Sequence, residues 1–230
     1  MTNMLCESAF FGVVISLLAY ELGMLLKKKF GLPIFNPLLI SIAVVIVFLA
    51  VFDIDYQNYN DGAKYLSYLL TPATVCLAIP LYEQMEALKK NIKAILAGIL
   101  SGVLTSLTVV LVLALIFNLN HKMYVTLLPK SITTAIGMGV SEELGGAVTI
   151  TVAVIIITGV LGNMLAETLC KLFHIEEPIA KGLAIGTAAH AIGTARALEM
   201  GPIEGAMSSL AVAVAGILTA FTASLFAMLL

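Results

Sequence analysis

Long apolar runs separated by short polar links make up almost the whole chain. The runs cover the ranges 8–26, 37–52, 65–82, 94–117, 124–146, 147–169, 179–201 and 203–230. A helix needs about 20 predominantly apolar residues to cross the hydrocarbon core of a bilayer, and most of the runs approach that length. The pattern therefore predicts an all-α polytopic membrane protein with about seven or eight membrane segments, forming one integral membrane domain over residues 1–230.

The composition strengthens this prediction and argues against several function classes. Apolar residues make up 60% of the chain and charged residues 11%, whereas soluble domains carry about 25% charged residues. The net charge is −2 and no basic stripe is present, so a nucleic-acid partner is not expected. Cys6, Cys76 and Cys170 are scattered in apolar runs without metal-ligand spacing. With no nucleophile set or phosphate loop in the sequence, we expect no enzyme activity, no cofactor and no metal.

Two lysine clusters orient the first half of the chain. The clusters are Lys27–Lys29 and the lysines at 89, 90 and 93, and two predicted spans lie between them. Both clusters therefore belong on one side of the membrane, and the positive-inside rule assigns that side to the cytoplasm. Beyond residue 122 lysines and glutamates balance, so the orientation of the C-terminal half stays open.

An internal repeat relates two polar segments within the apolar C-terminal part. SITTAIGMGVSEELG (131–145) and TAAHAIGTARALEMG (187–201) share a hydroxyl residue, then Ala-Ile-Gly, a Glu and a final Gly at the same spacing, and an apolar run follows each. A fainter third copy begins at Thr74. Repeated hydrophobic segments interrupted by Gly or Pro indicate a transporter binding site, because freed backbone groups survive in a bilayer only inside protein or beside a cavity. We therefore predict two discontinuous segments in an elevator-type core at 65–230, with the first two spans (1–60) as a scaffold.

The first broken segment carries one group of candidate binding residues. Pro129 lacks an amide hydrogen and is predicted to end a helix at Lys130. Ser131, Thr133 and Thr134 follow, and hydroxyl residues favour the start of a new helix, where free amides attract an anion. Lys130 would add a full positive charge. In the alternative interpretation, Lys130 extends to the membrane interface and the hydroxyls bond to carbonyls one turn back.

The second broken segment carries the other group: Thr187, His190, Thr194, Arg196 and Glu199. The first three lie three and four residues apart, so they share one helical face. A break near Gly193 would bring Arg196 and Glu199 to the same cavity. Ionisable groups inside a membrane mark a pathway or site by default, and His190 or Glu199 is a candidate for proton coupling. The alternatives are a structural hydrogen bond for His190 and a structural Arg196–Glu199 ion pair.

Three stretches of the chain together resemble the LrgB family, also called CidB-like or antiholin-like. They are LLPKSITTAIGMGVSEELGG, ITGVLGNML and EEPIAKGLAIGTAAHAIGTARALEMGPIEGAMSSLAVAVAGILTA, and the match runs from about residue 66 onward. One departure is Ala135-Ile136-Gly137, where relatives more often have Pro-Ile-Ala. The resemblance implies a multi-pass protein of the bacterial cytoplasmic membrane with a small four-span partner of the LrgA/CidA type.

The resemblance implies two functions that differ in class. One is transport of small monocarboxylates such as pyruvate or glycolate. For this function the broken segments described above, and not the resemblance, place the carboxylate between 129–139 and 186–196, and we predict that His190→Ala and Arg196→Ala abolish uptake. The alternative is a holin- or antiholin-like regulator of murein hydrolase activity and cell lysis that acts by oligomerisation. It would use packing faces such as Gly182 and Gly186. We favour the transporter and expect a homo-oligomer in the lipid bilayer.

Overall fold

The computed structural model describes residues 10–31 and 35–230, and within them all regular structure is helical, without strands. Cys6 and the predicted start of the first span at residues 8–9 lie outside the described residues. The helices are α1 (Phe11–Phe30), α2 (Pro37–Val51), α3 (Tyr56–Ser67), α4 (Leu70–Cys76), α5 (Ala78–Glu83), α6 (Met85–Ile116), α7 (His121–Leu127), α8 (Thr134–Glu143), α9 (Val148–Leu172), α10 (Pro178–Met200) and α11 (Pro202–Ala227).

Four helical stretches in the described part of the chain are long and apolar enough to cross a membrane. They are Tyr56–Glu83, α6, α9 and α11, and the apolar helix α2 is shorter. The prediction of an all-α membrane protein is therefore confirmed. The number of seven or eight segments and the elevator-type core stay predictions.

The chain divides into two compact units, residues 1–76 and residues 77–230. In the first unit α1 packs against α2 and α3. Gly12 lets α3 approach α1 closely, since a side chain there would collide with the backbone of residues 59–63. The hydroxyls of Ser16 and Tyr59 lie 2.8 Å apart and tie the same two helices together. The second unit carries the repeat.

The first repeated segment forms a helical hairpin, made of α7, a turn at 128–133 and α8 and here called the first hairpin. Thr151 of α9 binds both of its arms. The Thr151 hydroxyl is 2.9 Å from the Thr126 carbonyl and 2.7 Å from the Ser141 hydroxyl, so these two arm residues lie at one level. The predicted helix break after Pro129 is confirmed. The new helix starts after Thr133, as predicted, although the Thr133 side chain makes no capping bond.

The second repeated segment, α10, is also a hairpin and is called the second hairpin. His190 has φ 41° and ψ −143°, which interrupts the helix. Gly193 packs so closely on Ile185 that an added Cβ would lie 3.0 Å from the Ile185 Cγ2. In a continuous helix, residues eight apart are separated by about 12 Å, so the arms 178–189 and 191–200 must fold back on each other. The break expected near Gly193 thus lies at His190, because Gly193 serves the close approach of the arms instead.

Helix α9 runs from the base of the first hairpin to the base of the second. Its first turns bind the arms of the first hairpin through Thr151, as described above. Midway, the Ile155 carbonyl lies 3.0 Å from Nε2 of His190, at the tip of the second hairpin. Near its end, Glu167 forms an ion pair with Arg196 in the returning arm. The hairpins therefore enter the unit from opposite ends, and their tips meet near its middle.

Helices α6 and α11 run the opposite way to α9. On α11, the backbone of Glu204 abuts Gly182 near the base of the second hairpin, while the Phe226 carbonyl accepts a 2.8 Å bond from the Tyr124 hydroxyl in the first hairpin. Each repeat copy is thus one hairpin followed by one long helix, and the second copy is inverted relative to the first. The faint third copy that begins at Thr74 crosses the boundary between the two units and stays a prediction.

The second hairpin approaches α11 through glycines, which generates a stability prediction. A Cβ added at Gly186 would lie 2.8 Å from the Ala211 Cβ and 2.9 Å from the Ser208 Cα. We expect Gly186→Ala to lower the free energy of unfolding by about 1–3 kcal/mol, because the two backbones must separate. Thermal unfolding of the purified protein in detergent measures the change.

Gly139 provides the matched control. It lies in α8, and an added Cβ would meet no atom within 4 Å. Gly139→Ala should be neutral or stabilise the helix by about 0.5–1 kcal/mol, because alanine loses less backbone entropy on folding. Equal unfolding temperatures for the two variants would contradict the close contact between the second hairpin and α11.

Candidate anion-binding site

The tip of the first hairpin holds a lysine and two serines in contact. Nζ of Lys130 donates a 2.8 Å hydrogen bond to Oγ of Ser131. Ser106, on α6, donates to the same oxygen at 3.1 Å. Ser131 is 6% exposed, and its hydroxyl hydrogen has no acceptor within residues 77–230. The Ser131 oxygen therefore accepts two bonds and leaves its own hydrogen for a ligand.

A groove of about 750 Å³ leads to this tip between α6 and the outgoing arm of the second hairpin. Its walls are mostly glycine, alanine, serine and threonine: Ala94, Gly98, Ser101, Gly102 and Thr105 on α6, and Ala180, Ala184, Thr187 and Ala188 on α10. Glu177 and Asn91 lie at one end of the groove and Lys130 at the other. Because mostly small side chains line it, the groove is continuous from one end to the other.

Lys130 lacks a counter-ion in the second unit. None of the ion pairs within residues 77–230 includes it, and its polar partner is the uncharged Ser131. A buried charge is costly unless it is paired and hydrogen-bonded. A cation held this way, next to a free hydroxyl hydrogen, is suited to binding an anion.

Thr187 joins Lys130 and Ser131 in the groove, so the structure brings three predicted residues together. Its hydroxyl donates a 2.8 Å bond to the Leu183 carbonyl and lies against Gly102. The donor capacity of Thr187 is therefore used within the helix, and Thr187 shapes the wall. Thr133 and Thr134 lie further on, at the start of α8, and do not line the groove.

His190 and Thr194 are buried in the interior and do not line the groove. Nε2 of His190 donates to the Ile155 carbonyl. The Thr194 hydroxyl donates to the His190 carbonyl at 3.0 Å and lies 2.8 Å from the Ser208 hydroxyl. Both side chains thus have partners within the protein, as the structural alternative for His190 requires. Their predicted roles in binding and coupling stay predictions.

Arg196 and Glu199 lie in a second cavity, of about 550 Å³, at the base of the second hairpin. Nη1 of Arg196 bonds to Oε2 of Glu199 at 2.5 Å, and Nη2 bonds to Glu167 of α9. The structural alternative for these two residues, an Arg196–Glu199 ion pair, is confirmed. The expectation that both groups share one cavity with His190 is wrong, because the chain reversal at His190 carries Arg196 back to the base.

Two features of the site were missed from the sequence. Ser106 lies within the apolar run 94–117, and nothing around it in the sequence indicates its contact with Ser131. Gly98, Gly102 and Ser106 follow each other at four-residue spacing, which places them on one helical face. This four-residue spacing of small residues is the sequence pattern from which a groove along α6 could be predicted.

Comparison with known proteins agrees with the resemblance noted in the sequence. Residues 16–229 match the model of the LrgB-like family. Proteins named antiholin-like protein LrgB from Bacillus mycoides (strain KBAB4) and Bacillus cereus (strain B4264) are each 42% identical over 218 residues, which is 94% of this chain and 95% of theirs. No solved structure matches the chain significantly. A family match over nearly the whole length, carried by a helical fold with membrane-crossing segments, establishes that this chain is a membrane protein of the LrgB family.

Proposed function

We propose that this protein carries a small monocarboxylate anion across the membrane and that Lys130 holds the carboxylate. The observation that carries the proposal is the position of Lys130: a cation without a counter-ion within residues 77–230, at the meeting point of two opposed hairpins. Segments broken at mid-membrane are where transporters bind their substrates. A cation there attracts an anion strongly, because the surrounding dielectric constant is low.

The bound anion would receive two donors from adjacent residues. Nζ of Lys130 supplies the charge, and the free hydroxyl hydrogen of Ser131 supplies a directed bond. Ser106 positions the Ser131 oxygen from the side. One cation matches one negative charge, and the alanines and glycines of the groove suit a short organic group, as in pyruvate or glycolate.

The names of the relatives favour the second function, regulation of lysis, more directly than transport, since each is called antiholin-like. The packing face expected for oligomerisation is used inside the unit, however, because Gly182 and Gly186 both contact α11. The two functions are compatible. We propose that an antiholin-like effect on lysis follows from the movement of an anion, and of any coupled proton, across the membrane.

Replacing the cation tests the transport proposal. We expect Lys130→Gln to weaken substrate binding by roughly 10- to 100-fold, since a hydrogen bond to a charged group contributes about 1.5–3 kcal/mol. Uptake of labelled pyruvate, lactate and glycolate into vesicles, with and without an LrgA-type partner, measures the loss. Lys122→Gln is the control, because Lys122 is exposed at the base of the first hairpin. Undiminished uptake by Lys130→Gln would refute the assignment of the site.

Arg196 provides a second test, because it lies outside the groove. Arg196→Gln leaves Glu167 and Glu199 without their shared cation. We therefore expect it to lower the temperature of thermal unfolding while uptake per folded molecule is retained. Lys171→Gln is the matched control, since this more exposed lysine also pairs with Glu167 and should matter less. Loss of uptake at unchanged stability would instead place Arg196 in the transport site.

The link between transport and lysis is tested in cells. If lysis control follows from anion movement, Lys130→Gln should change the rate of lysis in cells that produce it as much as deletion of the protein does. Turbidity of a growing culture after a lytic stimulus measures this rate. Wild-type lysis control by a variant without uptake would show that the regulator acts independently of transport.

A further inference from the structure

We infer that the site at Lys130 is loaded from the cytoplasmic side, so that the structure is the inward-open form of the transporter. This inference rests on the proposed function for the identity of the cargo. The sidedness itself follows from three observations on residues 77–230: the charge at the two ends, the course of the groove, and the packing beyond the site.

The two ends of the second unit differ in positive charge. The end formed by the base of the second hairpin carries Lys89, Lys90, Lys93, Lys171, Lys181 and Arg196, whereas the opposite end carries Lys122. Lysines and arginines near membrane segments accumulate on the cytoplasmic side. The base of the second hairpin is therefore cytoplasmic. The N-terminus of α11 lies on the same side, which orients the half of the chain that the sequence left open.

The groove connects this cytoplasmic end with the site. Its outer end lies at Asn91 and Glu177, where α6 kinks and α10 begins. Ser106, at the inner end, is about 22 Å further along α6 at a rise of about 1.5 Å per residue. That distance covers more than half of a hydrocarbon core of about 30 Å. The groove is thus long enough to bring an anion from the cytoplasmic surface to the middle of the membrane.

Beyond the site, the interface between α6 and the first hairpin is filled by packed side chains. They belong to α6 and the first hairpin, and each is at most 5% exposed: Leu107, Val110, Ala114, Tyr124, Val125 and Leu128. All six lie in one apolar cluster. The residues from Leu107 to Ala114 form a layer about 10 Å deep. A path to the far surface between α6 and the first hairpin therefore opens only if α7 separates from α6.

Labelling of single cysteines with a membrane-impermeant maleimide tests the sidedness. The background is the full-length protein with Cys6, Cys76 and Cys170 replaced by alanine. In this background, Ser101→Cys should react in inverted vesicles and be protected in intact cells, because Ser101 lines the groove. Lys122→Cys should show the reverse pattern.

Leu100→Cys is the matched control on the same helix. Leu100 is an exposed apolar residue outside the groove, so a cysteine there faces lipid and should react from neither side. Gel filtration in detergent verifies that each variant is folded. Reaction of Ser101→Cys in intact cells, or from neither side, would overturn the inference, as would reaction of Lys122→Cys in inverted vesicles.

Protection by substrate separates the two proposals. Pyruvate, lactate or glycolate in the vesicle experiment should slow the modification of Thr105→Cys, which lies next to Ser106 in the groove. If none of these anions slows it while the pattern of sidedness is as expected, the orientation of the groove stands and the proposed cargo is wrong. If these anions slow the modification but the maleimide reacts from the outside of the cell, the proposed cargo stands and the direction of loading is reversed.

Discussion

The requirement that every backbone polar group be satisfied in lipid governs the arrangement of the second unit. A turn in the middle of a membrane frees amide and carbonyl groups, and each costs several kcal/mol if it faces hydrocarbon. Both hairpin tips are instead enclosed by α6, α9 and α11. At the second tip the freed His190 carbonyl accepts a bond from Thr194. The enclosing helices thus allow two interrupted segments to exist where continuous helices would otherwise be required.

The same enclosure produces the candidate site. Helices that surround a hairpin tip must come close to it, and glycines at 98, 102, 182 and 186 permit that approach. The small residues leave a groove beside the outgoing arm, and Lys130 lies at its inner end. The position of the charged Lys130 and the groove that leads to it therefore both result from the packing of these helices. A single unit of about 150 residues thus has both a packed core and a groove that leads to a charged residue.

Structural features that depend only on residues close together in the sequence could be predicted from it. Pro129 follows a helical run and has no amide hydrogen with which to continue it, and the Arg196–Glu199 pair needs only a spacing of three residues, so both were predictable. The position of the second break was not, since Gly186 and Gly193 flank it and each is more permissive than His190. The geometry of His190 depends on the Ile155 carbonyl, 35 residues away, and the second partner of Arg196 is 29 residues away. Contacts of this kind follow from the path of α9, which periodicity does not reveal.

The turn at His190 has a mechanical consequence. A positive φ at a residue other than glycine costs of order 1–3 kcal/mol and persists only when the surroundings hold it. Here the imidazole is held by the Ile155 carbonyl and packs against the bare backbone of Gly159. The second hairpin cannot slide along α9 without breaking these contacts, and the ion pair of Arg196 with Glu167 ties its returning arm to the same helix. Contacts at the tip and along the returning arm therefore join the second hairpin to α9, and a displacement of one against the other would break both sets.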